Sequence, residues 1–299
     1  MASTPTRTLD VTLPDGRTLH VRDDGEPGDD RLPLVLHHGS PQSGLVLSLQ
    51  LDDARAQGLR VISFDRPGYG GSARAEGRRV ADVVSDVTHL LDTLDVDGFV
   101  TSGASGGGPH SLACAALLPD RCLAAASVAG VAPHDAAGLD WLAGMGDDNV
   151  AEFGAASAGE EQLRPFLVEA REAILAAGAD GLVDSMRTLL PPADVAVLDG
   201  ELGTWLHASM ADGLRTGVDG WLDDDLAFVR DWGFRLDAIR VPVLVMAGGQ
   251  DLMVPLAHGT WLAHGVPGAS TLIDEDAGHL SLLAGIGRAH TWLRQHGAH

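Results

Sequence analysis

The sequence contains no lysine, and its 20 basic residues are all arginine. Aspartate and glutamate together number 42, so the 299-residue chain has a formal net charge of −22. A field of that sign repels a phosphate backbone and an anionic membrane surface. The composition therefore argues against a nucleic-acid partner and leaves a small molecule as the expected one.

Cysteine is also scarce, since only Cys114 and Cys122 occur. Two cysteines cannot build a disulfide scaffold or a four-cysteine zinc site. No spacing of His, Cys and Asp indicates a metal, so neither a metal nor a cofactor is expected. No apolar run approaches the roughly 20 residues of a membrane span, and no secretory signal is visible. We expect a cytoplasmic protein without a membrane partner; the sequence does not determine its oligomeric state.

Apolar runs alternate with helical patterns along most of the chain. Residues 8–13 and 17–22 flank Pro14-Asp15-Gly16 and predict an N-terminal hairpin. Six further apolar runs predict strands at 32–36, 59–64, 99–102, 123–128, 241–246 and 270–273. This alternation favours an α/β fold with a mostly parallel central sheet wound by right-handed crossovers.

The alternation stops after Gly130, and residues 132–231 show helical patterns without a convincing strand. We therefore predict one core domain, formed by residues 1–131 and 232–299. Residues 132–231 are predicted to be a helical lid inserted in that core, and we call them the helical insertion.

The segment Gly103-Ala104-Ser105-Gly106-Gly107 fits the pattern G-x-S-x-G. A predicted strand leads in and a predicted helix leads out, so Ser105 falls on a tight turn that exposes its hydroxyl. The free N–H groups of the helix N-terminus point to the same place. A glycine-rich turn with a capping serine gives the same pattern, whereas a dinucleotide-binding loop normally follows the first strand of its sheet. Ser105 is the candidate nucleophile.

A serine nucleophile needs a base, and the base needs a group that holds its tautomer. Asp251 follows the strand VPVLVMAGG, and His279 follows the next strand in the loop DEDAGHLSL. Both loops leave the carboxyl edge of the predicted sheet. Asp135 is the rival acid. Because the base must be neutral, activity is predicted to rise with pH through an apparent pKa of about 6 to 7.

An oxyanion hole needs two backbone N–H groups aimed at the developing charge. The amide of Gly106, directly after the nucleophile, is one candidate. The segment HHGSP follows the strand LPLVLH, and its Gly39 permits a sharp turn. The amide of Ser40 is therefore the second candidate.

The segments HHGSP, DRPGYGGS, GASGGG, GGQD and AGHL, in this order, resemble the α/β-hydrolase superfamily across almost the whole chain. They most resemble its bacterial serine esterases and its haloperoxidase-like and aminopeptidase-like members. The resemblance implies a triad of Ser105, Asp251 and His279, with the Ser40 and Gly106 amides as oxyanion hole. Residues 65–72 match a structural loop of the family. The chain departs from proline iminopeptidases, which usually show GGSWG.

Several other polar and aromatic residues receive simpler interpretations. Trp141, Met145 and Trp205 in the helical insertion are predicted to line an acyl pocket. The run Asp223-Asp224-Asp225 is interpreted as part of a solvated face. Four histidines are interpreted as solvent-facing residues of helices or of the chain's end: His110, His290, His296 and His299.

The expected function is a serine hydrolase that cleaves carboxylic esters of small, neutral substrates through an acyl-enzyme. An aminopeptidase or amidase of the same fold is the competing enzyme. A non-catalytic small-molecule receptor is the alternative from a different class, because fold alone does not settle function.

Overall fold

A computed structural model describes residues 6–26, 28–198 and 200–297. Within them, eight strands form one sheet in the order β1-β2-β4-β3-β5-β6-β7-β8. β1 and β2 form an antiparallel hairpin, β2 is antiparallel to β4, and all later neighbours are parallel. The predicted α/β fold is confirmed. The strands are Arg7–Thr12 (β1), Thr18–Asp23 (β2), Leu32–His37 (β3), Leu59–Phe64 (β4), Phe99–Ala104 (β5), Cys122–Val128 (β6), Val243–Gly248 (β7) and Ser270–Asp274 (β8).

The central strands are buried and mostly apolar because helices cover both faces of the sheet. All six residues of β4 and of β7 are buried. Val35 of β3 pairs with Ile62 on one side and with Thr101 on the other. This register brings the carboxyl ends of β3 and β5 side by side, and the loops that follow them meet at one edge.

Twelve α-helices occur in the described residues, and helices lie on both sides of the sheet. Ala54, Ala289 and Leu293 belong to the core on one face, and Leu112 and Leu262 to the core on the other. The helices are Ser48–Ala56 (α1), Val83–Thr93 (α2), Gly108–Leu117 (α3), Asp147–Ala158 (α4), Glu160–Ala177 (α5), Leu182–Ser185 (α6), Pro192–Val195 (α7), Glu201–Gly213 (α8), Asp219–Phe228 (α9), Leu256–Gly265 (α10), Ser281–Ala284 (α11) and Gly287–His296 (α12). Short 3₁₀ turns occupy Val80–Asp82, Ser105–Gly107 and Leu236–Ala238.

The helical insertion contains α4 to α9, and its described residues form no strand. Helix α5 buries Leu163, Leu167 and Ile174, a spacing that places all three on one helical face. It contacts α4, α8 and α9, so these helices form a common layer. No helix in the described part of the chain is both long and apolar enough to cross a membrane.

The loop after β4 has the structural role predicted for it. Gly68 and Gly70 have φ of +89° and +49°, a region that favours glycine. The buried carboxylate of Asp65 accepts hydrogen bonds from the amides of Gly44 (2.8 Å) and Gly71 (2.8 Å). Asp65 therefore ties the loop after β3 to the loop after β4.

The prediction of solvent-facing histidines is wrong for His110 and His290. Both side chains are buried. His110 packs against Phe228 of α9, and His290 Nδ1 bonds Asp53 Oδ2 at 2.6 Å. His296 is half-buried and stacks on Trp292. His299 lies outside the described residues.

Candidate active site

Ser105 occupies the turn between β5 and α3 and has φ of +55°, in the left-handed region. Small neighbours are required there because backbone segments approach closely. A Cβ on Gly103 would lie 2.0 Å from the carbonyl oxygen of Gly107, and one on Gly107 would lie 2.1 Å from that of His37. The strained turn projects Ser105 into a cavity of about 450 Å³, whose wall it helps to form.

Asp251 and His279 are hydrogen-bonded to each other. Asp251 Oδ2 lies 2.7 Å from His279 Nδ1, and Asp251 Oδ1 accepts the amides of Met253 and Val254, both at 2.8 Å. Because Nδ1 donates to the carboxylate, Nε2 is left as the acceptor. His279 lines the same cavity as Ser105, whereas the rival acid Asp135 is exposed.

Opposing effects act on the imidazole of His279. Burial, the largest single effect, lowers its pKa, but the charge and hydrogen bond of Asp251 and the charge of Asp194 raise it. The carboxylates prevail, so the pKa of His279 lies above its ordinary value. The sequence revealed Asp251 but contained no local signal for Asp194.

Ser40 and Gly106 lie next to each other on the cavity wall. A Cβ on Gly106 would be only 2.6 Å from Ser40 Oγ, which shows how closely the two loops approach. Both residues line the cavity together with Ser105. The structure thus brings together the two residues whose amides are the candidates for the oxyanion hole.

Two neutral histidines hold these loops. His38 Nε2 accepts the amide of Arg66 (3.0 Å), so its Nδ1–H donates to the carbonyl of Gly39 (2.7 Å). His110 Nδ1 donates to the carbonyl of Gly106 (2.9 Å). Burial, then the charge of Arg66, holds the pKa of His38 well below its usual range and lowers that of His110 to about 3. Neither ring is a candidate for proton transfer at neutral pH.

An ion-pair cluster around Asp224 of the helical insertion supports the loop that contains Ser40. Asp224 is completely buried, and its Oδ2 accepts Ser40 Oγ (2.5 Å), Arg66 Nη2 (2.6 Å) and the hydroxyl of Tyr69 (2.8 Å). Arg78 Nη2 lies 2.7 Å from Asp224 Oδ1. This support was missed, because no pattern in the sequence pairs residues 158 positions apart.

The interpretation of Asp223, Asp224 and Asp225 as a solvated face is wrong. All three are buried, with exposed fractions of 1% or less. Asp223 is bonded to Arg74 Nε at 2.8 Å, and Asp224 belongs to the cluster just described. Buried carboxylates persist only where charges or donors compensate them, and arginines do so for Asp223 and Asp224.

The third member of this run, Asp225, forms a carboxyl pair on the cavity wall. Asp225 Oδ2 has no hydrogen-bond donor among the described residues, and its neighbour is the carboxyl of Glu152. Burial raises the pKa of both groups, and the charge of Glu152 raises that of Asp225 further. Trp221 Nε1 donates to Glu152 Oε1 at 2.7 Å. Two neighbouring buried carboxyls disfavour the state in which both are ionised.

The predicted pocket residues divide into two groups. Met145 and Trp205 line the cavity. Trp141 is not among the described residues that line it, which corrects that prediction. Its indole N–H bonds the carbonyl of Ala132 (2.8 Å), and its ring packs edge-on against Phe153. Trp141 lies in a turn that precedes α4, and the sequence does not show which side of such a turn meets the cavity. Other apolar lining residues are Val131, Phe153, Phe166, Ile174, Met186, Leu206, Met210 and Phe228.

Among residues 6–26, 28–198 and 200–297, no cluster of His, Cys, Asp and Glu has the arrangement of a metal site.

A protein-family model described as the alpha/beta hydrolase fold matches residues 33–164 of the chain. The chain is 30% identical over 256 residues to the dihydrolipoyllysine-residue acetyltransferase component of the acetoin cleaving system of Pseudomonas putida, covering 85% of this chain and 60% of that one. It thus spans less than two thirds of this relative's length.

A second relative is the 2-hydroxy-6-oxononadienedioate/2-hydroxy-6-oxononatrienedioate hydrolase of Paraburkholderia phymatum, 27% identical, with 87% of this chain and 84% of that protein covered. Among solved structures, a bromoperoxidase from Bacillus anthracis superposes with a TM-score of 0.70 at 20% identity, covering 97% and 100% of the two chains. This last likeness concerns the fold alone.

Proposed function

The chain belongs to the α/β-hydrolase superfamily, and on this premise we propose that it is a serine hydrolase of carboxylic esters. One observation carries the proposal. A serine on a strained strand-to-helix turn shares a cavity with a buried histidine whose Nδ1 bonds an aspartate at 2.7 Å. This constellation is the arrangement that activates a hydroxyl for acyl transfer.

The proposed reaction uses the chain's own groups. Ser105 Oγ attacks the ester carbonyl carbon while His279 Nε2 takes its proton. The amides of Ser40 and Gly106 donate to the oxyanion of the tetrahedral intermediate. His279 then protonates the leaving alcohol, and an acyl group remains on Ser105. Water, deprotonated by His279, releases the acid and restores the serine.

The cavity suggests a neutral substrate of modest size. Its volume of about 450 Å³ lies within the range of small-molecule sites, roughly 300–1,000 Å³. Its wall combines apolar side chains with the acidic groups Asp148, Glu152, Glu169 and Asp225. A free carboxylate on the substrate would be desolvated near charges of its own sign. We therefore propose neutral esters with short to medium acyl chains, and a helical insertion that acts as the lid above them.

The carboxyl pair favours a second candidate, hydrolysis of an amide beside a free amine. The carboxyls of Glu152 and Asp225 lie together in an otherwise largely apolar cavity, next to the indole of Trp221, and ionisation of one of them would place a negative charge there. An ammonium group would complement this charge and the electron-rich ring. An aminopeptidase or amidase of the same fold would then use the same serine, histidine and aspartate.

A substrate panel separates the two candidates. The panel contains chromogenic esters of two to twelve carbons, esters with a free terminal carboxylate, and aminoacyl anilides beside their N-acetyl twins. We expect neutral esters to exceed anionic esters in kcat/KM by about tenfold or more, and both anilides to react poorly.

Equal turnover of neutral and anionic esters would contradict the proposed substrate class. Faster turnover of the free-amine anilide than of its acetylated twin, lost in Glu152→Gln, would support the second candidate. If no substrate turns over and Ser105 resists acylation, the receptor alternative replaces both.

Trp205 provides a test of the acyl pocket. Its half-buried ring lines the cavity, and its indole N–H bonds the carbonyl of Leu45 at 3.0 Å. Trp205→Ala enlarges the pocket, so we expect the ratio of kcat/KM for long over short esters to change by about tenfold. Acetyl ester turnover should change less. The measurement is kcat/KM across the acyl series.

The matched control is Trp261→Ala. Trp261 is also half-buried and bonds a backbone carbonyl, that of Ala137 at 3.1 Å, but it is not among the described residues that line the cavity. Selectivity should be unchanged in this control. Unchanged selectivity in Trp205→Ala as well would show that Trp205 of the helical insertion does not determine the preferred acyl chain length.

A further inference from the structure

Asp194 lies in α7 of the helical insertion, and its side chain is completely buried against the loop that carries His279. Its Oδ2 accepts the amide of His279 at 2.8 Å. Its Oδ1 accepts the amides of Leu280 (3.1 Å) and Ser281 (2.9 Å) and the hydroxyl of Ser281 (2.9 Å). One carboxylate thus receives four hydrogen bonds from three consecutive residues, including the proposed base.

We propose that Asp194 is the positioning residue for His279, so that the helical insertion determines where the base sits relative to Ser105. This inference rests on the proposed role of His279 in ester hydrolysis. Asp251 bonds only the imidazole ring of His279, whereas Asp194 bonds its backbone amide and those of the next two residues. The two carboxylates therefore restrain different parts of the same residue.

The partners of Asp194 distinguish it from its neighbours in the insertion. Asp223 and Asp224 pair with arginines, which compensate their charges. The hydrogen bonds of Asp194 come instead from backbone amides and one hydroxyl at the start of α11. Carboxylates are favoured at helix N-termini, but here the carboxylate comes from a segment 85 residues away. Its charge therefore remains available to act on His279.

The carboxylate of Asp194 can approach the loop of His279 because Gly278 has no side chain. A Cβ on Gly278 would lie 2.5 Å from Asp194 Oδ1 and 2.6 Å from Oδ2. Real Cβ atoms do not approach a carboxylate so closely, so any side chain at position 278 would displace Asp194. Gly278→Ala is thus an independent way to disturb the same contact without changing the carboxylate itself.

Asp194 acts on the base electrostatically as well as through hydrogen bonds. Burial lowers the pKa of His279, and the carboxylates of Asp251 and Asp194 raise it to a net value above the ordinary one. His258 of α10 is the other titratable ring facing Asp251; its pKa is lowered, chiefly by burial, so it stays neutral. Removing the charge of Asp194 disfavours the imidazolium, and the pKa of His279 should fall.

The test is Asp194→Asn in the full chain. We expect kcat on a neutral ester to fall by about 10²-fold, because small displacements of a catalytic group have effects of that size. KM should change little, since Asp194 is not among the described residues that line the cavity. In the parent protein, kcat/KM should rise with pH through a midpoint above the ordinary histidine value of about 6.5, because the pKa of His279 is raised. In the variant this midpoint should move lower.

Asp223→Asn is the matched control, because Asp223 is equally buried in the same insertion but bonds Arg74. It should lower the thermal stability without moving the pH midpoint. Gly278→Ala should reproduce the loss of kcat, and it replaces Asp194→Asn as the test if that variant does not fold.

An NMR titration of the His279 ring in both proteins makes the test independent of turnover. A folded Asp194→Asn variant with parental kcat and an unmoved His279 midpoint overturns the positioning role. A parent protein that hydrolyses no ester overturns the proposed function instead, and a lowered His279 midpoint in the variant would still support the contact with Asp194.

Discussion

Ser105→Ala is expected to lower kcat on a neutral ester by about 10⁴-fold or more, because members of a catalytic triad act as a unit. The substitution removes one oxygen from a half-buried position and leaves the apolar cavity wall unchanged. Substrate binding should therefore survive while acyl transfer is lost. The measurements are kcat for the two proteins and covalent labelling by a fluorophosphonate, located by peptide mass spectrometry.

Ser85→Ala is the control for this experiment. Ser85 is exposed on α2, and its hydroxyl bonds the carbonyl of Asp82 at 3.0 Å, outside the cavity. Its loss should change neither labelling nor turnover. Labelling at a residue other than Ser105, or near-parental turnover in Ser105→Ala, would reject Ser105 as the nucleophile.

Asp251→Asn is expected to lower kcat by about 10⁴-fold with the fold retained, by analogy with the loss of the orienting carboxylate in serine proteases. The hydrogen bonds explain why. Asp251 Oδ1 accepts the amides of Met253 and Val254, so the single oxygen of asparagine would stay with those donors. Its NH₂ group would then face His279 Nδ1 and favour the tautomer protonated at Nε2. That tautomer cannot accept the proton of Ser105.

The comparison variant is Asp135→Asn, which alters the rival acid. Asp135 is exposed, so its substitution should leave kcat within about twofold and stability within about 0.5 kcal/mol. The same kcat assay is used for both variants. A crippled Asp135→Asn beside an active Asp251→Asn would show that the acid had been assigned to the wrong loop.

The insertion contributes more than a pocket wall. Asp224 holds the loop of Ser40, and Asp194 holds the loop of His279, although both acids lie far from these loops in sequence. The geometry proposed for catalysis thus depends on helices of the insertion as well as on the loops that follow the strands. A chain lacking the helical insertion would lose these contacts along with the cavity wall.

The absence of lysine accords with how this chain buries carboxylates. Arg66 contacts both oxygens of Asp224 through Nε (3.3 Å) and Nη2 (2.6 Å). Arg60 contacts both oxygens of Asp23 in the same way, at 2.9 and 2.8 Å. A guanidinium presents a planar fork that fits a carboxylate, whereas an ammonium is a single point charge. Arginine-to-lysine changes at these pairs are therefore not conservative.

The sequence by itself determined the strand alternation, the N-terminal hairpin and the positions of Ser105, Asp251 and His279. Each depends on local information. Apolar runs of strand length predict buried strands, and a motif placed after a parallel strand must lie at the same sheet edge as the other strand ends. Chain order and strand chemistry therefore sufficed to place these three residues near one another.

Only the tertiary structure decided that Asp223, Asp224 and Asp225 are buried, that Trp141 lies outside the cavity wall and that Asp194 contacts the loop of His279. The physical reason is common to all of them. Whether an acidic residue faces water or a buried donor depends on partners distant in sequence, such as Arg66, which is 158 residues from Asp224. Local hydrophobic periodicity contains no information about such partners. It also does not show which side of a turn, such as that of Trp141, faces the cavity.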